Sequence, residues 1–136
     1  MTDSIAELAR LLLGRGEFLN GYTGEIEDAI SHAVETAPDK PFCLVRNWRI
    51  IEVLVSVEYA EALAKDGLSP HVVYAETVVM HSTGKRAVGQ WVRSTFQRSF
   101  TRGFLFETQN TVYALLGEGT KVQGSARAVL AITGQL

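Results

Sequence analysis

From Lys85 to Gly103 the chain reads KRAVGQWVRSTFQRSFTRG, which places five cations (Lys85, Arg86, Arg93, Arg98, Arg102) and three large aromatics (Trp91, Phe96, Phe100) in nineteen residues without a carboxylate. Guanidinium and ammonium groups contact phosphates or carboxylates, while aromatic rings stack on unpaired bases or anchor a protein interface. A single-strand binder built this way gains ~1–3 kcal/mol per stacked base. Its affinity falls with salt at a slope of about −0.7 per phosphate contact. The competing reading is structural. Aromatics make up only 9% of the chain, so Trp91 and the two phenylalanines are expected to point into a core, with the arginines rimming it or bridging to acids elsewhere.

Catalytic and metal chemistry finds less support. Ser82-Thr83-Gly84-Lys85-Arg86 looks like the end of a phosphate-binding loop, but that motif needs a glycine where Val79 stands and a hydroxyl residue where Arg86 stands. Gly117 and Gly119 flank Glu118 in a turn, without the third glycine of a dinucleotide loop. His32, His71 and His81 lack metal-ligand spacing, and one cysteine cannot assemble a common zinc cluster. His71 and His81, at the two ends of an expected strand, would stand about 33 Å apart on one face. Cys43, inside Phe42-Cys43-Leu44-Val45, reads as a small buried hydrophobe with no base beside it. The expectation is therefore no catalysis, no metal and no cofactor.

The elements that must position these residues follow from periodicity and punctuation. The chain has 136 residues, 46% hydrophobic and 21% charged, which fits one domain over residues 1–136 that buries roughly two thirds of its unfolded surface. Ser4-Ile5-Ala6-Glu7 fits a capping box, and Ile5, Leu8, Leu11 and Leu12 then form one helical stripe that ends at Gly14. GRGEFLNGYTG reads as a loop. A second helix is expected from about Glu25 to Thr36, with Ile26, Ala29, Ile30, Ala33 and Val34 on its apolar face and Glu25, Glu27 and Asp28 in its first turn. Residues 1–40 thus form an acidic helical part.

From residue 41 onward the chain reads as mainly β. Phe42 to Arg46 and Arg49 to Val55 suggest two short strands or one bent strand around Asn47. Ser56 caps one inserted helix near residues 57–66, which closes at Asp66-Gly67. His71 to His81 is the clearest strand, and Phe104 to Glu107, Thr111 to Leu116 and Ala126 to Thr133 are expected to follow it as strands. The cationic segment itself reads either as a helix presenting Val88, Trp91, Val92, Phe96 and Phe100 on one side, or as strand and loop. Its β-branched and hydroxyl residues and its β neighbours favour strand and loop. The fold class is α+β, with N-terminal helices packed on a small, mostly antiparallel sheet or a partly open β-barrel.

No apolar run approaches the ~20 residues that span a bilayer. The N-terminal residues carry Asp3 where a secretion signal would need cations. With its single cysteine, the chain is expected in the cytoplasm, away from membranes. Charge is strongly segregated. Residues 1–80 hold six Lys or Arg against thirteen Asp or Glu, a balance of −7, whereas residues 81–136 balance at +5. Either an acidic half and an anion-binding half are both displayed, or the two neutralise each other across the fold.

Three stretches carry a resemblance: Val72-Val73-Tyr74-Ala75, Gly89-Gln90-Trp91-Val92-Arg93-Ser94, and the run from Phe106 through Glu107, Thr108, Asn110, Thr111, Val112 and Tyr113 to Leu115-Leu116-Gly117. Over residues 41–119 the chain resembles a family of short uncharacterised bacterial and prophage proteins, classed as a domain of unknown function. Gln90 stands where that family often has an acid, and Phe96 near a frequent proline. The resemblance implies no catalytic residues. It implies a bacterial or phage setting, where compact proteins of this size bind and inhibit host complexes, anti-CRISPR proteins among them.

Two function classes follow. One is a non-enzymatic protein-binding module or inhibitor, which meets a host complex through the acidic face of Glu25, Glu27, Asp28 and Glu35 or through the basic strand face. The other is a small nucleic-acid-binding β module that uses Lys85, Arg86, Trp91, Arg93, Arg98 and Arg102.

Overall fold

In the computed structural model, which describes residues 4–132, one long strand is the axis of the molecule. Strand β2 (Phe42–Leu54) runs 13 residues. Along one edge it pairs antiparallel with β3 (His71–His81), from Cys43 opposite His81 to Glu52 opposite His71. Along the other edge it changes partner, running parallel first to β7 (Val112–Leu115) and then to β8 (Gly119–Ser125). The change falls around Asn47, whose φ of 56° is a left-handed conformation that asparagine tolerates better than most residues. Of the two possibilities left open for this stretch, the molecule takes the single bent strand.

Trp48 locks the bend. Its ring is buried, and its Nε1 donates to the carbonyl oxygens of Leu116 (3.2 Å) and Gly117 (3.1 Å), which tie β2 to the connection between β7 and β8. Gly119 lies against the ring so closely that an added Cβ would sit 2.3 Å from a ring carbon. Glycine here marks a close approach.

The remaining strands extend a curled, half-open sheet. β6 (Leu105–Glu107) and β5 (Ser99–Thr101) follow β7 in antiparallel order, β1 (Glu17–Leu19) borders β8, and the two-residue β4 (Val92–Arg93) borders β3. Between the named strands, all pairings other than those of β2 with β7 and β8 are antiparallel. The architecture is α+β on a mostly antiparallel, partly open sheet.

Strand alternation divides the apolar side chains between two faces. Ile50, Val73 and Ala75 join Leu44, Trp48, Phe106 and Leu115 in a cluster covered by helix α2 (Ile26–Thr36) through Ala29, Ile30 and Ala33. Their sequence neighbours Ile51 and Val72, with Val53, form a second cluster. It is covered by Leu8, Leu11 and Leu12 of helix α1 (Ser4–Leu13) and by Ala128 and Val129 of helix α4 (Ala126–Ala131). Helix α3 (Val57–Lys65) starts as expected, with the Ser56 hydroxyl accepting from Tyr59 N at 3.1 Å.

Several expectations are corrected. Residues 126–131 are helical, not a strand, because Ser125 Oγ accepts from Ala128 N at 3.1 Å and alanines at 126, 128 and 131 favour helix over the pull of Val129 and Ile132. A strand precedes that helix in β8, whose inward positions include two glycines. Gly119 underlies Trp48, and a Cβ on Gly124 would lie 2.7 Å from Leu11 Cδ1, so partner side chains supply the carbon that a strand pattern normally shows. The expected loop of residues 14–24 contains β1. The apolar stripe of α2 is narrower than its periodicity suggests, with Ile26 and Val34 exposed, and Ile5 of α1 is exposed as well. Asp3, Thr133 and the Ser4 side chain of the expected capping box lie outside the described residues. Among the described residues no helix is long and apolar enough to cross a membrane.

Candidate binding surface

The cationic segment is not helical. It leaves β3 through a turn over residues 82–91, forms β4, passes Phe96 and enters β5. Gly84 and Gly89 take φ of 73° and 88°, which only glycine adopts freely. Backbone bonds close the base of the turn, Val78 N to Gln90 O at 2.7 Å and Gly89 N to Val78 O at 2.8 Å, and the Gln90 amide oxygen accepts from Ala87 N at 2.8 Å. The rest of the turn is exposed.

Alternation then sorts the residues that follow. Val92 points into the core and Arg93 points away, opposite Tyr74. Ser94 is buried, its hydroxyl accepting from Val73 N (2.8 Å) and donating to Thr95 O (2.7 Å), which pins the chain just past the two outward residues. Trp91 leans on Tyr74 with ring centroids 6.2 Å apart and remains 42% exposed. Arg86, Trp91 and Arg93 line one open groove of about 560 Å³, together with Glu76 and Gln90. Among the described residues no carboxylate lies within ion-pair distance of Lys85, Arg86 or Arg93. Their field is felt nearby. Burial first, then Arg86 and Lys85, push His81 below its ordinary pKa.

Arg98 and Arg102 lie elsewhere. Arg98 donates its backbone N–H to Glu107 O at 2.6 Å. The Glu107 carboxylate receives Lys40 Nζ at 2.6 Å and Ser99 Oγ at 2.9 Å. Burial works to raise its pKa, but those two donors, helped by the charges of Lys40 and Arg98, hold it below the usual carboxylate range. Arg102 stands at the tip between β5 and β6, where its Nη1 donates to Glu35 Oε1 at 3.1 Å and to His32 Nδ1. The basic face and the acidic face therefore touch at Arg102 and Glu35. Glu25 at the N-cap of α2 and Glu27 and Asp28 in its first turn sit exposed, without an ion pair among the described residues.

The expectation that the aromatics point inward is corrected for Trp91, whereas Phe96 and Phe100 pack against the two core clusters. Trp91 is surface, while Phe96 and Phe100 are half-buried, against Tyr59 (6.3 Å) and Phe106 (6.4 Å) respectively. The reason is that residues 89–97 border β3 as an edge segment, with one face in solvent. Glu76, missed in the sequence, enters the groove from β3; it is the only carboxylate in HVVYAETVVMH, and its strand-face position was the signal.

Burial pushes the Cys43 thiol up to about 11, away from nucleophilic range. His71 and His81 cap opposite ends of β3. Among the described residues no group of His, Cys, Asp and Glu is arranged to hold a metal. The run from Phe106 to Gly117 is the β6–β7 hairpin, buried from Val112 to Leu116, with Thr108 Oγ1 accepting from Thr111 N at 3.1 Å to shape its turn. Its residues build the fold.

No curated protein and no solved structure matches the chain. Residues 20–131, from the approach to α2 through α4, match the family described as "Domain of unknown function (DUF6957)", and the chain belongs to that family.

Proposed function

We propose that this protein is a non-enzymatic binding module that docks on an acidic protein surface through Arg86, Trp91 and Arg93. The observation that supports this reading is a half-exposed tryptophan in a groove lined by two arginines that have no ion-pair partner among the described residues. Trp and Arg are the residue types most enriched at interface hot spots, and Val88, 77% exposed on the adjoining turn, extends the apolar contact. A track for single-stranded nucleic acid wants continuous positive charge. Here Arg102 is paired with Glu35, Arg98 sits beside Glu107, and Glu76 enters the groove itself. The exposed acids Glu25, Glu27 and Asp28 offer a separate contact for a basic partner. The narrower form of the reading, an inhibitor of a host nucleoprotein complex carried by a bacterial mobile element and acting in the cytoplasm, rests on the resemblance alone.

The test compares two charge reversals. Capture from a bacterial lysate should retain a partner on the wild type and on Arg98→Glu/Arg102→Glu, and lose it on Arg86→Glu/Arg93→Glu and on Trp91→Ala. Fluorescence anisotropy with labelled single- and double-stranded oligonucleotides, at low and physiological salt, supplies the counter-test. Micromolar binding that weakens steeply with salt and vanishes in Arg86→Glu/Arg93→Glu would replace the protein partner with nucleic acid.

A further inference from the structure

Arg93 also lines a second groove, of about 550 Å³, whose character is different. Val53 and Val72, both buried members of the second core cluster, form its base. Tyr59 of α3 and Phe96, in edge-to-face contact at 6.3 Å, and Val129 and Leu130 of α4 line it above them. Leu54 and Leu130 at its rim are 54% and 63% exposed, so apolar carbon that a core would use is spent on an open surface. The polar groups in the lining are the hydroxyls of Ser56, Tyr59 and Thr95 and the guanidinium of Arg93, which among the described residues carries the one charge. Its Nη1 donates to Ser94 O at 3.2 Å, and among the described residues its Nε is buried without an acceptor and no carboxylate enters the groove.

A single cation without an ion pair among the described residues, beside a carbon-lined groove, is complementary to one anionic group on an alkyl chain. The volume falls in the roughly 300–1,000 Å³ range of small-molecule sites, which have this same pattern of apolar lining with a few placed polar groups. We propose that the groove binds a small amphiphilic carboxylate of the fatty-acid class, its chain against Val53, Phe96, Val129 and Leu130 and its head on Arg93. A nucleotide or sugar finds too few polar partners here, and a neutral hydrocarbon leaves Arg93 uncompensated. This site goes beyond the docking reading and shares only Arg93 with it.

Isothermal titration with sodium dodecanoate, kept below its micelle concentration, tests the site, with dodecan-1-ol and dodecyltrimethylammonium as chain-matched controls. Dodecanoate should saturate one site on the wild type, and the cation should not bind. Arg93→Gln should weaken dodecanoate by about tenfold, the effect of losing one charge-assisted hydrogen bond, while leaving the alcohol unchanged. Val129→Trp, which fills the groove, should abolish both. Leu130→Glu repeats that test at an exposed rim position that the core does not need for folding. Trp91→Ala, outside this groove, should bind dodecanoate normally, so this proposal and the docking reading fail separately. The proposal is overturned if the wild type shows no saturable dodecanoate binding, or if Arg93→Gln and Leu130→Glu bind it as the wild type does. Loss of a captured protein from Leu130→Glu, with no dodecanoate binding to the wild type, would make the groove a protein contact and would equally overturn it.

Discussion

Among the described residues Lys85, Arg86 and Arg93 stand on a turn and a two-residue strand with no carboxylate in ion-pair reach, whereas on the same uninterrupted cationic stretch Arg98 bonds through its backbone to Glu107 and adds its charge to that carboxylate, and Arg102 pairs with Glu35. The two halves share a composition and differ in what the topology lays beside them. β5 pairs with β6 at the end of the sheet, and its tip reaches the C-terminal half of α2. The 82–91 turn projects beyond β3 and is held only at its base. A balance of −7 in one part of the chain and +5 in the other is thus partly cancelled where the fold brings β5 to α2, and left standing at the turn. Charge available to a partner is decided by neighbours in space.

The difference should be largest in stability. Phe106, fully buried, packs against Phe100 in the 98–102 half, and Phe106→Ala should cost about 3–5 kcal/mol. Trp91→Ala in the other half, although it removes a larger ring, should cost under about 1 kcal/mol because the ring is half in water. Urea midpoints measure both, and similar losses would mean that the turn is built into the core after all.

Next in size is Glu107→Gln, which leaves Lys40, a partly buried ammonium, without its carboxylate and should cost about 1–3 kcal/mol at pH 7. The sign with pH follows from the direction of the shift. A carboxyl whose folded pKa is depressed stabilises the fold above its unfolded value, and that contribution is lost as pH falls through the folded value. The gap between wild type and Glu107→Gln should therefore be full at neutral pH and begin to narrow below about 4.5. A gap that does not change with pH would place the Glu107 contribution in packing.

Legibility in the sequence divided along similar lines. The His71–His81 strand, the Ser56 cap and the hairpin turn at Gln109-Asn110 were readable because alternation, a cap residue and turn residues are local signals. β8 was not, since Gly119 and Gly124 report the bulk of Trp48 and Leu11, residues far away in sequence. α4 was misread for the converse reason: Val129 and Ile132 look like strand, while three alanines and Ser125 decide. At the site, the sequence showed which residues carried charge and missed the exposure of Trp91 and the presence of Glu76. Both depend on which edge of β3 the segment borders. The apolar groove was invisible, because its lining comes from β2, β3, α3 and α4 together.

The smallest effect tests the comparison most directly. Arg102 and Gly103 occupy the centre of the β5–β6 turn with φ of 57° and 77°, the pattern of a hairpin turn in which both central residues are left-handed. A non-glycine residue there costs roughly 1–2 kcal/mol. The exposed pair that Arg102 makes with Glu35 returns only about 0.2–1 kcal/mol. Arg102→Ala loses the pair and keeps the strain, so it should lower stability slightly. Arg102→Gly loses the pair and sheds the strain, so it should match or exceed the wild type and be more stable than Arg102→Ala by about 1 kcal/mol. Thermal or urea unfolding of the three proteins decides the order. If alanine equals or outranks glycine, the turn is not held left-handed, Arg102 is not fixed beside Glu35, and the cationic stretch would be free along its whole length, which is the arrangement a nucleic-acid track requires.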